Sequence, residues 1–170
     1  EILRETIVPA RTSKSIWERV DEIARNVLDA LDGRGVYGIE LFETTDGEIL
    51  VNEIAPRPHN SGHYTIEGCL TSQFEQHVRA VLGRPLGATD LRCPTVMANV
   101  LGDVDETEPA ALYGVDDVLA TRGANLHWYG KQDVRPLRKM GHVTLLGDDG
   151  TDLTDLLDRA RTTRDALTFN

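Results

Sequence analysis

Two β-rich runs in residues 36–54, VYGIELFETTDGEILVNEI, place the strongest constraint on the fold of this chain. They are joined through Asp46-Gly47, and Asp-Gly between apolar runs is the strongest short-range signal for a β-hairpin. A two-residue turn at this point pairs Thr45 with Glu48. Carried along both strands, the same register places Glu40 directly opposite Glu53.

Two acids that face each other need a physical reason. Cross-strand partners have Cβ atoms roughly 4.5–5.5 Å apart, and like charges at that distance are destabilising. A divalent cation supplies a reason, because Mg²⁺ takes one or two carboxylates and completes its shell with water and phosphate oxygens. Both hairpin faces carry apolar residues, so we expect a sheet covered on both sides, with Glu40 and Glu53 in a cleft. Two alternatives stay open: the acids face solvent on an edge hairpin, or a longer loop shifts the register and separates them.

A polar segment follows the hairpin within residues 51–68, VNEIAPRPHNSGHYTIEG. Its prolines and glycine exclude one regular helix or strand. Arg57 offers a fixed fork of donors to a phosphate or carboxylate, and backbone N–H groups with Asn60 and Ser61 can hold an anion. His59 and His63 are candidate acid–base groups, or else hydrogen-bonding residues of the loop.

A basic cluster lies in residues 127–142, HWYGKQDVRPLRKMGH, within a chain of net charge -10. It comprises Lys131, Arg135, Arg138, Lys139 and His142. A solvated loop is the usual role of such a run, whereas the functional interpretation is a phosphate site. Together with the paired acids, this interpretation favours phosphoryl-transfer chemistry on a phosphorylated small molecule.

Composition narrows the classes of function. Cys69 and Cys93 are far apart and lack metal-ligand spacing, so we expect neither a disulfide framework nor a structural zinc site. Reduced thiols are typical of the cytoplasm, which is the location we expect. The net charge of -10 argues against a nucleic-acid binder. No apolar run approaches the roughly 20 residues that cross a membrane. The opening EILRETIVPAR has no Met, which leads us to expect a fragment of a longer protein.

The periodicity predicts an α+β fold in two parts. Residues 14–32 predict an amphipathic helix stopped by Gly33 and Gly35, and residues 71–83 predict a second one, capped by Thr71 or Ser72. Later segments predict strands at 94–103, 124–131 and 138–147 and a helix at 152–167. We therefore expect domains at 1–88 and 95–170, the second small and β-rich.

GIELF, the run from Leu50 to Gly87 that contains NEIAPRPHNSGH, HWYGK and RKMGH resemble one family. It is the ATP-grasp family of 5-(carboxyamino)imidazole ribonucleotide synthase, the ATPase subunit of phosphoribosylaminoimidazole carboxylase in purine biosynthesis. The likeness runs from about residue 1 to the end. It implies the C-terminal part of an ATP-grasp domain (helix, antiparallel hairpin, helix) and then a small C-terminal domain.

The resemblance also implies an activity. The family uses ATP and bicarbonate to carboxylate the exocyclic amine of aminoimidazole ribonucleotide through carboxyphosphate, and releases ADP and phosphate. Family members are commonly dimers, so a homodimer is compatible with the likeness. The N-terminal and lid domains that close over ATP in this family are not represented, so we expect the isolated chain to be an inactive piece of a carbon–nitrogen ligase.

Residue by residue, the resemblance places Mg²⁺ ligands at Glu40 and Glu53, and ATP-site contacts at Asn52 and Glu53. It places bicarbonate and ribonucleotide contacts at Arg57, His59, Asn60 and Ser61. Lys131 and Arg138 fall on residues that bind the ribonucleotide, its 5′-phosphate especially. Of these residues, Arg57, His59 and Lys131 are the expected catalytic residues.

One departure from the family and two alternative functions bear on this interpretation. The family usually has RPGRK where this chain has residues 135–139, RPLRK, so Leu137 replaces a glycine and puts the aim of Arg138 in question. The first alternative is another ATP-grasp enzyme, such as a formate- or biotin-dependent relative. The second is a non-catalytic binding or dimerisation module.

Overall fold

The computed structural model describes residues 2–169, which form two compact units. The hairpin unit comprises residues 10–66 and 70–90, and the sheet unit comprises residues 2–9, 67–69 and 91–169. Residues 1–88 were expected to form one domain. In the structure, strand β1 (Glu5–Val8) lies in the sheet unit instead, because its backbone pairs with strand β4 (Thr95–Leu101).

The hairpin unit follows the predicted order of helix, hairpin and helix. Its elements are α1 (Lys14–Leu31), β2 (Gly38–Glu43), β3 (Ile49–Ala55), a 3₁₀ turn (Asn60–Gly62), α2 (Thr65–Gly68) and α3 (Gln73–Val81). The 3₁₀ turn and α2, whose last residues belong to the sheet unit, were not predicted. They give the polar segment local structure and bring its backbone back toward the start of α3.

The ends of α1 and α3 lie close to the predicted ones. Ser72 caps α3 by accepting a hydrogen bond from the backbone N–H of Glu75 at 3.2 Å, as predicted. Helix α1 ends at Leu31, one residue before the predicted end, and Asp32, which precedes Gly33, takes the left-handed conformation with φ 44°. Asp is among the few residues that enter this region at moderate cost. Like the other helices within residues 2–169, α1 lacks the apolar character needed to cross a membrane.

The sheet unit contains a four-stranded antiparallel sheet in the order β1-β4-β9-β7. Strands β7 (Ala124–Trp128) and β9 (Lys139–Leu146) match predicted runs, as do β4 and helix α5 (Leu153–Asp165). The smaller elements are α4 (Val115–Ala120) and the strand pairs β5 (Glu108–Pro109) with β8 (Asp133–Val134) and β6 (Leu112–Tyr113) with β10 (Thr168–Phe169).

Apolar packing on one sheet face holds this unit together. Val96 and Leu145 pack against Leu156, Leu157 and Ala160 of α5. A neighbouring cluster on the same face joins strand, helix α4 and C-terminal residues: Val100, Val118, Val143 and Leu167. Burial of a side chain of this size stabilises the fold by about 1.5–3 kcal/mol, so this core fixes the strands that carry the basic cluster.

Candidate functional site

Strands β2 and β3 pair with Glu40 opposite Glu53, which confirms the predicted juxtaposition. The turn between them differs from the prediction. Thr44, not Thr45, faces Glu48, and its backbone N–H donates to the Glu48 carbonyl at 2.9 Å. The loop is therefore one residue longer than expected, with Gly47 at φ 81° supplying the left-handed conformation that a three-residue hairpin loop needs.

A β-bulge compensates for the longer loop. Glu40 faces Glu53 but Leu41 faces Val51, so Asn52 is an extra residue in β3. Bulges bend a strand and re-aim its side chains, and they are frequent beside functional sites. Without the bulge, the shift at the turn would have separated the two acids, which was the alternative that the sequence left open.

The bulge also changes the apolar faces of the hairpin. A regular ladder would put Phe42 with Val51, but the structure pairs Phe42 with Leu50 and Leu41 with Val51. Phe42 is 54% exposed, Leu50 49% and Val51 46%. The expectation that the hairpin is covered on both sides is therefore wrong within residues 2–169. Much of the apolar surface of the hairpin is exposed there.

Polar contacts surround the acid pair. The Asn52 side-chain amide Nδ2 donates to Glu40 Oε2 at 3.1 Å, and His59 Nε2 lies 3.7 Å from Glu40 Oε1. The Glu40 side chain is 36% exposed and the His59 side chain 13%. The Asn52 donor offsets part of the repulsion between the neighbouring carboxylates. The Glu53 side chain is exposed.

The orientation of His59 follows from its own loop. The backbone N–H of Ser61 donates to His59 Nδ1 at 3.4 Å, and the Ser61 hydroxyl lies 2.9 Å from the same nitrogen. A backbone N–H can only donate, so Nδ1 is an acceptor and the proton of the neutral ring is on Nε2. Nε2 is also the ring nitrogen that lies 3.7 Å from Glu40 Oε1.

Gly38 makes room for this imidazole. A Cβ atom at Gly38 would lie 2.5 Å from the Cβ of His59, which is closer than real Cβ contacts allow. The first residue of β2 therefore has to be glycine for the loop to approach the strand. No sequence pattern indicated this role, because the contact joins residues distant along the chain.

Arg57 is held near its own backbone. The backbone N–H of Arg57 donates to the Ala55 carbonyl at 2.8 Å, and the guanidinium Nη1 donates to the Pro58 carbonyl at 3.1 Å. The guanidinium has five donors, and its side chain is exposed, so further donors can reach a ligand. Asn60 and Ser61 are half-buried in the adjoining 3₁₀ turn.

In the sheet unit, Lys131 donates from Nζ to the Lys139 carbonyl at 2.6 Å, and Nζ lies 5.8 Å from the centre of the Tyr129 ring. Burial lowers the pKa of Lys131 below its ordinary value of 10.5, and the positive charges of Arg138, Arg135 and Lys139 lower it further. A cluster of like charges favours the binding of an anion, because the anion reduces the repulsion among the cationic side chains.

Leu137 occupies the position where the family resemblance predicts glycine, and its φ is 60°. The Arg138 N–H donates to the Arg135 carbonyl at 3.0 Å, which closes a four-residue turn with Pro136 and Leu137 in the middle. A turn with Pro second and a positive φ third is of type II, which normally takes Gly or Asn at the third residue. The turn is kept despite the substitution, and Arg138 Nη1 donates to the Asp133 carbonyl at 2.8 Å.

His142 does not belong to the surface cluster in which the sequence placed it. It is 1% exposed, it stacks on His127 with ring centres 4.4 Å apart, and its Nδ1 lies 2.8 Å from the Tyr129 hydroxyl. His142 is the fourth residue of β9, and its side chain points to the interior of the unit. Burial raises the pKa of Tyr129 to about 12, which keeps that hydroxyl protonated.

The structure thus groups the predicted residues in two sets. Glu40, Asn52, Glu53 and the loop from Arg57 to Ser61 lie in the hairpin unit, whereas Lys131 and Arg138 lie in the sheet unit. Within residues 2–169, no three His, Cys, Asp or Glu side chains cluster in a way that would hold a metal by themselves. Two carboxylates still match the Mg²⁺ sites that borrow phosphate oxygens from a nucleotide.

Comparisons with known proteins identify the family to which these two units are similar. The ATP-grasp domain model matches residues 1–74, and the model of the phosphoribosylaminoimidazole carboxylase C-terminal domain matches residues 95–155. The chain is 49% identical over 148 residues to N5-carboxyaminoimidazole ribonucleotide synthase of Bacillus subtilis, a match that covers 85% of this chain and 37% of that protein. The chain thus spans little more than a third of that relative.

Solved structures show the same likeness. The crystal structure of N5-carboxyaminoimidazole ribonucleotide synthetase from Thermotoga maritima superimposes with a TM-score of 0.90 at 50% identity, over 97% of this chain and 45% of that one. The synthase from Aspergillus clavatus, in complex with ADP and 5-aminoimidazole ribonucleotide, gives 0.83 at 36% identity, over 97% and 44%. The chain therefore belongs to the N5-carboxyaminoimidazole ribonucleotide synthase family of ATP-grasp proteins and resembles the C-terminal part of its members.

Proposed function

We propose that this chain is the C-terminal part of a ligase that carboxylates the exocyclic amine of aminoimidazole ribonucleotide with ATP and bicarbonate. The observation that carries the proposal is the Glu40–Glu53 pair, which the bulge at Asn52 aligns and which His59 approaches from the adjoining loop. The relative solved with ADP and 5-aminoimidazole ribonucleotide supports the same pair of ligand classes.

In this proposal, Glu40 and Glu53 hold Mg²⁺, with Asn52 beside them at the ATP phosphates. Bound Mg²⁺ neutralises phosphate charge during phosphoryl transfer. Asn52 already donates to Glu40, so it fixes one carboxylate in place and keeps its own carbonyl oxygen for another contact. The bulge is what allows Asn52 and Glu53, neighbours in sequence, to serve the same site.

The loop from Arg57 to Ser61 then binds bicarbonate and the ribonucleotide. Bicarbonate oxygen attacks the γ-phosphorus of ATP, ADP leaves, and carboxyphosphate forms. Carbon dioxide from carboxyphosphate forms a bond with the amine nitrogen, which loses a proton, and phosphate is released. The Arg57 guanidinium binds the anionic reactants through paired donors, and the His59 ring orients them beside Glu40.

Lys131 and Arg138 bind the 5′-phosphate of the ribonucleotide. The neighbouring cations that lower the Lys131 pKa also create a local positive field in an acidic chain. A phosphate group neutralises this field, and Arg138 adds directional donors. Neither residue contacts the reacting atoms in this proposal, so both act on affinity for the acceptor, and Lys131 additionally sets its position for catalysis.

The test is ADP formation by the longer protein that contains this chain, assayed with Mg²⁺, ATP and bicarbonate, with and without aminoimidazole ribonucleotide. We expect ADP formation to depend strongly on the ribonucleotide, and the isolated chain to form none. ATP cleavage that ignores this acceptor would instead support another ATP-grasp ligase, which a screen of amine acceptors would identify. No cleavage under any condition would support a binding or dimerisation module.

A further inference from the structure

A buried glutamine holds the backbone of the loop at residues 57–61, which is called the acceptor loop below because it is proposed to bind the ribonucleotide. Gln73 is the first residue of α3 and is 7% exposed. Its Oε1 accepts a hydrogen bond from the His59 N–H at 2.9 Å, and its Nε2 donates to the His59 carbonyl at 2.8 Å. One side-chain amide therefore satisfies both backbone groups of the residue whose ring faces Glu40.

Further contacts fix the amide itself. Gln73 Nε2 lies 2.9 Å from His63 Nδ1, and the Gln73 N–H donates to Thr65 Oγ1 at 2.9 Å. Thr65 Oγ1 donates in turn to the Gly62 carbonyl at 2.6 Å. A Cβ on Gly62 would lie 2.6 Å from Gln73 Oε1, so glycine is needed there for the amide to reach the loop.

We propose that Gln73 is a positioning residue for catalysis: it fixes the His59 backbone and thereby places the imidazole beside Glu40. This inference rests on the function proposed above for the loop. Gln73 contacts no reacting group in that scheme, because both of its amide atoms are engaged by the loop. Its contribution is geometric, and a displacement of about 1 Å in a catalytic group can lower a rate about 100-fold.

The same helix supplies a matched control. Gln76 is 8% exposed, its Nε2 donates to the Gly87 carbonyl at 2.6 Å, and its Oε1 accepts from the Gly87 N–H at 2.9 Å. Gln76 thus makes the same two-bond contact with a backbone position outside the proposed site. Loss of the Gln73 amide removes its contacts with the His59 N–H, the His59 carbonyl and His63 Nδ1, although the His59 carbonyl keeps the Gly62 N–H at 3.0 Å. Loss of the Gln76 amide removes both contacts with Gly87, so we expect losses of stability of similar size in the two variants.

The experiment compares Gln73→Leu and Gln76→Leu in the full-length ligase of the proposed function. We expect Gln73→Leu to lower kcat for ribonucleotide-dependent ADP formation about 10- to 100-fold, with the KM for ATP unchanged within about twofold. Gln76→Leu should keep kcat within about threefold at a similar melting temperature. Gln73→Glu keeps the acceptor for the His59 N–H but loses the donor, and should restore part of kcat.

Amide hydrogen exchange tests the inference independently of activity. The His59 amide should exchange at least about 10-fold faster in Gln73→Leu than in the wild type, whereas Gln76→Leu should affect the Gly87 amide instead. Unchanged His59 exchange, or a kcat equal to that of Gln76→Leu, would overturn the role of Gln73. If the wild type cleaves ATP without regard to the ribonucleotide, the proposed function fails, and the exchange data alone then decide whether Gln73 holds the loop.

Discussion

The acceptor loop (residues 57–61) in the hairpin unit and the basic turn (residues 135–138) in the sheet unit are both proposed to bind anions, yet different contacts hold them in place. Buried Gln73, in another element of the unit, holds the loop through both backbone groups of His59. The turn is held by backbone hydrogen bonds, and its Leu137 has the strained φ of 60°.

This difference predicts different responses to mutation. The loop depends on distant residues that fit closely, so substitutions that touch no ligand should displace it. The basic turn already tolerates a residue that its geometry disfavours, because the neighbouring strand pairs fix its ends. Substitutions there should mainly affect affinity or stability, and the largest losses of activity should come from the hairpin unit.

Glu53→Gln should lower Mg²⁺-dependent ATP cleavage by the proposed full-length ligase at least about 100-fold, because loss of a metal ligand removes several kcal/mol of charge stabilisation. The fold should persist, since Glu53 is exposed. Glu48→Gln, in the hairpin turn, is the control and should retain activity. Near-normal turnover by Glu53→Gln would contradict the assignment of the paired acids to the metal.

Arg138→Ala should raise the KM for aminoimidazole ribonucleotide about 10- to 100-fold with a smaller change in kcat, because a hydrogen bond to a charged group contributes about 1.5–3 kcal/mol. Arg122→Ala is a suitable control, since Arg122 forms an exposed pair with Asp148 at 3.0 Å. Steady-state kinetics with varied ribonucleotide measure the effect. An unchanged KM would move the phosphate site elsewhere.

Gly38→Ala should displace His59 and lower kcat about 10-fold, with a loss of about 1–3 kcal/mol in the free energy of unfolding from overpacking. Gly47→Ala tests backbone strain without crowding, because Gly47 has a positive φ but no atom lies within 4 Å of the position that an added Cβ would take. We expect Gly47→Ala to be destabilised yet active. Equal kcat for the two variants would show that the fit between Gly38 and His59 has no bearing on catalysis.

The pH dependence of acceptor binding reports on Lys131. Because its pKa in the free protein is below 10.5, the cation is lost at a lower pH than for an ordinary lysine. We expect kcat/KM for the ribonucleotide to fall as the pH rises through this lowered pKa. Stability should rise over the same window, since the unfolded chain binds the proton more tightly there. In Lys131→Met both trends should weaken, and a fall that persists would assign the titration to another group.

Leu137→Gly should give the smallest effect, an increase of about 0.5–1 kcal/mol in the free energy of unfolding. Relief of the left-handed strain favours the variant, while the greater freedom of glycine in the unfolded chain opposes it. Chemical denaturation measures the difference, and the KM for the ribonucleotide should change little. A loss of stability would show that the half-exposed leucine makes packing contacts that outweigh the strain.

Local signals in the sequence predicted much of the fold. Periodicity identified α1, α3, α5 and the long strands, and the Ser72 cap followed from residue type alone. The Asp-Gly turn located the hairpin but not its length. The predicted Glu40–Glu53 pair is present because the longer loop and the bulge at Asn52 cancel, and no local pattern specifies a bulge of this kind.

Contacts between distant segments could not be predicted. The hydrogen bonds between Gln73 and His59 join residues 14 positions apart, and the fit of Gly38 against His59 joins residues 21 positions apart. Neither a glutamine nor a glycine indicates such a partner by its residue type. His142 was misplaced for a related reason, since alternation along β9 becomes meaningful only when the covered face is known. The sequence could therefore nominate the candidate residues and, for Glu40 and Glu53, their pairing, whereas the contacts that hold the loop residues in place were visible only in the structure.

The most direct test of the central claim is transfer of ¹³C from labelled bicarbonate to the amine of aminoimidazole ribonucleotide by the full-length ligase proposed above, with the reaction monitored by ¹³C NMR. We expect a ¹³C resonance of a nitrogen-bound carboxylate that appears together with ADP in a one-to-one ratio, and that Glu53→Gln abolishes. Formation of ADP without this resonance, in the presence of both substrates, would contradict the proposed carboxylation.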